Sequence, residues 1–168
     1  MRETIAIVGA SLAGARAAEA LRDSGFTGRV VLIGDEPDQP YDRPPLSKQV
    51  LTGEWDEDDI ALVSPQDWDD LDVTVRLSTR AIGVDVSRRG LQLDDGSSLS
   101  YDGLIIATGA RARTFATGTG PGVHVLRTLA DAHRLGSASR NPGSPSALSV
   151  AASSVPRWRT PPRHWGTR

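Results

Sequence analysis

The sequence predicts an α/β domain of Rossmann type, with a central parallel sheet and a small antiparallel β meander. Three observations predict it. Two short apolar runs, Thr4–Gly9 and Arg29–Gly34, flank a stretch of strong helix formers, the order of a βαβ unit. The first run enters that stretch through a glycine turn, Gly9-Ala-Ser-Leu-Ala-Gly14. A third apolar run, Leu104–Gly109, again stops at small residues, as a buried strand does.

The elements follow in chain order. Residues 4–9 read as a strand buried on both faces. Ser11 to Arg22 reads as a helix with apolar positions at Leu12, Ala13, Ala17, Ala20 and Leu21, stopped by Asp23-Ser-Gly25. Arg29–Gly34 is the second strand, which a right-handed crossover sets parallel to the first. Asp38 to Pro45 is polar and Pro-rich, and Ser47 is placed to cap a short helix through Leu51. Val73–Leu77 and Ala81–Val86 read as strands, and Leu91-Gln-Leu93 with Asp94-Asp-Gly96 forms the meander. Val123–Leu126 reads as a last short strand, and Thr128 as the cap of a helix beginning at Leu129.

Composition narrows the chemistry. With no Cys among 168 residues, disulfides, thiolate metal sites, bound iron–sulfur clusters and Cys-x-x-Cys redox chemistry are excluded for this chain. His124, His133 and His164 lack metal-ligand spacing, so no metal site is expected. No apolar run approaches the ~20 residues of a membrane span, and no signal-peptide cleavage site precedes the glycine motif. A cytoplasmic protein without membrane or nucleic-acid contacts is expected. The net charge of −2 conceals an asymmetry: up to Gly136 the chain holds 14 Lys/Arg against 21 acids, whereas residues 137–168 carry only Arg140, Arg157, Arg159, Arg163 and Arg168.

The glycine turn matches G-x-G-x-x-G except that Ser11 stands at the second glycine. In that pattern Gly9 permits the tight turn and Gly14 the close packing of helix on strand. The middle position lets a pyrophosphate approach the helix N-terminus, where free N–H groups and the helix dipole favour anions. Asp35 and Glu36 end the second strand some 20 residues on. A carboxylate there accepts a bond from a ribose 2′-hydroxyl and repels a 2′-phosphate, so FAD or NAD is expected and NADP is not.

The flanking segments separate the two. Pro40-Tyr-Asp-Arg-Pro-Pro-Leu-Ser-Lys48, Ala107-Thr-Gly109 and Val125-Leu-Arg-Thr-Leu129, taken with Ile7–Gly14 and Gly34-Asp-Glu36, resemble the FAD-dependent NAD(P)H:ferredoxin and rubredoxin reductases, within the glutathione-reductase-like flavoproteins. The likeness runs from about Thr4 to Leu135. It implies that Gly9, Ala10, Ser11, Leu12, Ala13 and Gly14 hold the FAD pyrophosphate and that Asp35 or Glu36 takes the adenosine ribose. It further implies that Arg43 and Pro44 line the FAD site and that Lys48 lies near the reactive edge of the isoalloxazine. Ala81 would offer backbone contacts to the adenine, Ala107, Thr108 and Gly109 would pass close to the cofactor, and Arg127 would bind its phosphate or ring side. No catalytic residue is assigned. A Lys beside a flavin stabilises negative charge arising on the ring.

The resemblance also implies a much longer protein, with a second Rossmann unit for NAD(P)H and a ferredoxin-type electron acceptor. Residues 1–135 are therefore read as a truncated FAD-binding domain. From Gly136 the chain is rich in Ser, Pro, Arg and Ala without helical or strand period, which reads as a disordered tail over 136–168. Trp158 and Trp165 and the lack of Glu and Lys sit poorly with natural disorder. Read one base out of frame, His164–Trp165 must encode Leu and Trp165–Gly166 must encode Gly. The codons from Ser149 onward are compatible with GGGFIGAEVADAATALG, which resembles the NAD-binding fingerprint. A frameshift near residue 137 is the expectation, with weak or no FAD binding and no NADH-driven turnover. A stand-alone nucleotide-binding or regulatory module with a basic tail, an NAD-dependent dehydrogenase, and a non-functional gene product are the alternatives. Sequencing the encoding DNA past the His133 codon is expected to show the shifted frame continuing into a reductase-like second half; a frame unlike one overturns this reading.

Overall fold

In the computed structural model, which describes residues 3–112 and 123–139, a four-stranded parallel sheet carries the architecture. Its strands are β1 (Thr4–Val8), β2 (Arg29–Ile33), β3 (Val73–Arg76) and β7 (Gly103–Ile106), in the order β3-β2-β1-β7. β1 pairs with β2 from Thr4↔Arg29 to Val8↔Ile33 and with β7 from Ile5↔Gly103 to Val8↔Ile106. The three C-terminal ends are thereby level, and the turns that follow them emerge side by side.

Why these runs are apolar throughout is plain from the two clusters that cover them. On one face Ile7, Val30, Leu32 and Val73 pack against Ala15 and Ala18 of α1 (Leu12–Asp23) and Trp68 of α3 (Pro65–Asp70). On the other, Ala6, Val31 and Ile33 meet Leu91, Leu93, Leu99 and Tyr101. Those four come from the antiparallel meander β4 (Ala81–Asp85), β5 (Gly90–Leu93), β6 (Ser98–Ser100) and from the residues following it. Alternate side chains of each central strand thus enter different cores, so neither face tolerates a polar residue. A third cluster joins Tyr41, Leu46 and Val50 to Ile60 and to Leu129 and Ala132 of α4 (Leu129–Ser139).

Several expectations need correction. Val123–Leu126 forms no strand: no described strand runs beside it, and Val123 and Val125 are exposed. Ser47 does not cap a helix. It ends a 3₁₀ turn, Pro44–Ser47, and Lys48 holds the cap position of α2 (Gln49–Thr52) without a side-chain bond. The helix from Leu129 continues to Ser139, past Gly136, because Leu135 is still buried. Residues 140–168, where most of the expected tail lies, are outside the described residues. α3 was not expected, although its start is written out: Ser64 accepts from Asp67 N, Asp67 accepts from Ser64 N, and Pro65 occupies the first turn.

One side chain ties three peripheral segments together. Arg22, near the end of α1, donates from Nε to Leu71 O (2.7 Å), from Nη1 to Phe26 O (2.7 Å) and Gly28 O (2.9 Å), and from Nη2 to Asp72 O (2.7 Å). Its side chain is only 12% exposed, so these carbonyls have little water to replace it. Arg22→Met, which keeps the apolar stem, is expected to lower unfolding stability by about 3 kcal/mol in urea titrations. A change below about 0.5 kcal/mol would show that the bonds are replaced by water without loss.

Candidate functional site

The level strand ends open into a cleft of about 880 Å³. Its floor is the turn from β1 to α1. Gly9 has φ +115, and a Cβ there would lie 2.2 Å from Ala107 O. A Cβ on Gly14 would lie 1.9 Å from Gly9 O. Both glycines are therefore demanded by backbone approaching backbone. The middle position carries no such demand: Ser11 has φ −136 and ψ −167, extended backbone open to any L residue. That is why serine is admissible where the motif has glycine. Ser11 stands at the N-cap of α1, yet its side chain makes no capping bond and no acid occupies the first turn. The first-turn amides, with Leu12 and Ala13 on the cleft wall, therefore face the cleft with the positive end of the helix dipole.

The two acids after β2 have different surroundings. Glu36 has both oxygens engaged: Oε1 accepts from Arg43 Nη2 (2.6 Å) and Oε2 from the Tyr41 hydroxyl (2.5 Å). Asp35 is half-exposed and pairs with Arg80, at 3.2 Å. Burial, and then the bond to Glu36, push the Tyr41 hydroxyl pKa well above its usual range, so Tyr41 stays protonated and donates. The same hydroxyl accepts from Leu129 N (3.0 Å), and Arg43 Nη1 donates to Arg127 O (2.6 Å). Arg43 also stacks over the Tyr41 ring at 5.1 Å and directs Nε to Ser11 Oγ at 3.3 Å.

The far wall is made by Ala107, Thr108 and Gly109 leaving β7, where Arg127 Nη2 lies 3.5 Å from the place of a Cβ on Gly109. Arg127 is held through its backbone: Asp131 Oδ2 accepts from Arg127 N (3.0 Å) and Thr128 N (2.9 Å), and Asp131 N donates to Thr128 Oγ1 (3.2 Å). Arg134 closes this capping box by pairing with Asp131. Burial raises the Asp131 pKa, but the amides of Thr128 and Arg127, the Thr128 hydroxyl and Arg134 together outweigh it and hold the carboxyl below its ordinary value.

Of the residues expected to bind a cofactor, Gly9, Ala10, Ser11, Leu12, Ala13, Asp35, Glu36, Arg43, Pro44, Ala81, Ala107, Thr108, Gly109 and Arg127 all line this cleft. Gly14 and Lys48 are not among the cleft-lining residues: Gly14 is buried and Lys48 is exposed. Thr79, Arg80, Asp42 and Asp131 also line it and were not foreseen. Asp131 had a signal in Thr128-x-x-Asp131; Arg80 had only its place beside Ala81. Among the described residues no group of His, Asp and Glu is disposed to hold a metal, and no helix is long and apolar enough to cross a membrane.

The volume falls in the range of small-molecule sites, ~300–1,000 Å³. A helix N-terminus without a side-chain cap, a turn framed by two glycines, and a carboxylate at the next strand's end suit the adenosine diphosphate part of a dinucleotide. Fold and site therefore define a dinucleotide-binding domain. The chain belongs to the pyridine nucleotide-disulphide oxidoreductases, whose family model matches residues 3–150. Members of this family bind FAD and use NAD(P)H as donor. The chain is 47% identical over 137 residues to the biphenyl dioxygenase system ferredoxin–NAD(+) reductase component of Paraburkholderia xenovorans (strain LB400), covering 80% of this chain and 33% of that protein. It is 41% identical over 134 residues to rhodocoxin reductase of Rhodococcus erythropolis, covering 79% and 31%. The covalent putidaredoxin reductase–putidaredoxin complex superposes with a TM-score of 0.76 at 33% identity, covering 80% of this chain and 34% of that one. The expected likeness to ferredoxin reductases thus holds. The chain spans about a third of the length of these relatives.

Because the folded-state pKa of Asp131 is depressed, its stabilising effect is complete above the ordinary carboxylate range and is lost as pH falls through the folded value. Asp131→Ala is expected to cost about 1 kcal/mol near neutral pH. The difference from wild type should shrink below pH ~4, as followed by thermal unfolding across pH.

Proposed function

We propose that residues 1–135 are the FAD-binding part of an NAD(P)H:ferredoxin reductase. The observation that carries the proposal is the uncapped N-terminus of α1, opening on a cleft whose other edge ends in Asp35. In this reading the pyrophosphate lies against the amides of Gly9–Gly14, and Asp35 receives the ribose hydroxyls, since Glu36 has both oxygens committed to Tyr41 and Arg43. The adenine rests by Ala81. Arg43 with Pro44, the Ala107–Gly109 backbone and Arg127 follow the cofactor outward, with Lys48 toward its reactive end. FAD, when bound, supplies the exchange between two-electron and one-electron chemistry. The residues of this chain bind it, shield it and balance its charge.

In the intact protein the electrons come from NAD(P)H and leave to a ferredoxin-type iron–sulfur protein, and the setting is cytoplasmic. The relatives' names, all reductases of ferredoxin-like proteins, support this reading. Residues 136–168 are proposed to be the product of a shifted reading frame.

The 168-residue chain alone is expected to bind FAD weakly and to show no NADH–ferricyanide turnover. Ultrafiltration of the purified chain with FAD, together with that assay, checks both. Tight yellow protein with NADH-driven activity would refute the partial-site reading. Asp35→Asn is expected to reduce the residual affinity for ADP about tenfold, the order of one charge-assisted bond.

A further inference from the structure

The two neighbouring acids have different partners: Glu36 is bonded to Arg43 and Tyr41, whereas Asp35 pairs with Arg80. We infer that Glu36, with Tyr41, is a positioning residue that locks the Arg43 guanidinium against the glycine turn. This inference rests on the nucleotide reading of the cleft. Arg43 is the point at which four segments meet: Ser11 of the glycine turn, Glu36 after β2, Tyr41 of its own loop, and the Arg127 carbonyl ahead of α4. A guanidinium with this many bonds has one orientation rather than many. Among these described partners only Glu36 is charged, and the pair is mostly shielded, at 21% and 25% side-chain exposure.

Tyr41 fixes Glu36 in turn. Its hydroxyl donates to Glu36 and accepts from Leu129 N, so the acid, the arginine and the start of α4 form one closed polar cluster around a buried ring. The Arg43 guanidinium thereby lines the cleft beside the start of α1, whose first turn carries no acid. The same cluster fixes the backbone from which Arg127 reaches over Gly109. Asp35, outside it, keeps an oxygen for a ribose.

The experiment is an amide-shift NMR titration of the full 168-residue chain with ADP and with 2′-deoxy-ADP. Glu36→Gln is expected to weaken both ligands by the same factor, about tenfold, leaving their ratio as in wild type; Asp35→Asn should collapse that ratio. In an Arg43→Met background Glu36→Gln should cost less than about twofold more, since its effect passes through Arg43. Tyr41→Phe, which removes one hydroxyl, should repeat the pattern of Glu36→Gln and carries the test should that variant not fold. A lost ADP/2′-deoxy-ADP preference in Glu36→Gln would make Glu36 a direct ribose ligand and overturn the inference. So would an undiminished Glu36→Gln effect without Arg43, or wild-type affinity in both Glu36→Gln and Tyr41→Phe. Absence of any wild-type shift at millimolar ADP would overturn the nucleotide reading itself, and the inference with it.

Discussion

The contact on which the site depends is between backbones, not side chains. Gly14 rests on the carbonyl of Gly9, and Gly9 rests on the carbonyl of Ala107. Through these two approaches α1, β1 and β7 are brought closer than any side chain would allow. The consequence is geometric. The α1 N-terminus is drawn down to the level of the strand ends, and its amides border the cleft rather than a surface loop. A single methyl at either glycine would have to push apart elements whose apolar faces are buried on both sides of the sheet. The anion-binding property of the turn and the packing of the sheet are thus one constraint seen from two directions.

Burial on two faces also explains how a chain so poor in aromatic residues holds its shape. Each central strand distributes Val, Ile, Leu and Ala alternately between the α1–α3 core and the meander core. Branched aliphatic side chains fill such interlayer space well and lose little freedom on a pleated strand. A few large rings add to this: Trp68 of α3 in the first core, Tyr101 in the second, and Tyr41 where the proline-rich loop meets α4.

How much of this was legible in the sequence follows from the range of the interactions. β1, α1, β2 and β7 were readable because period and punctuation are local: an unbroken apolar run stopped by glycine has few other interpretations. The floor and far wall of the cleft were readable for the same reason, their small residues being required by close approach. The meander was readable from Asp94-Asp-Gly96. α3 escaped because at Pro65–Asp70 it is too short to show a period, and only its capping box announces it. Val123–Leu126 misled because β-branched residues suit a strand, but a strand exists only where another lies alongside. The distinction between Asp35 and Glu36 could not be read at all. It depends on Tyr41 and Leu129, separated by 88 positions and joined only by the tertiary fold.

The loop that brings Glu36, Asp42, Arg43 and Pro44 to the cleft is irregular, which raises the question of how it can hold a side chain to the tolerance a binding site needs. Three features answer it. Pro37, Pro40, Pro44 and Pro45 narrow the unfolded ensemble, so less conformational entropy is lost on ordering. The backbone is pinned to the segment before α3, with Asp42 N donating to Ile60 O (2.8 Å) and Leu62 N to Pro40 O (2.9 Å). Finally, every polar atom of the Glu36–Tyr41–Arg43 cluster that turns inward has a partner, so leaving that arrangement would strand a buried hydroxyl or a half-buried ion pair. Opening the loop would therefore break a satisfied network and expose Tyr41, Leu46 and Val50 together. An irregular segment constrained in this way presents its cleft-side residues as firmly as a strand does.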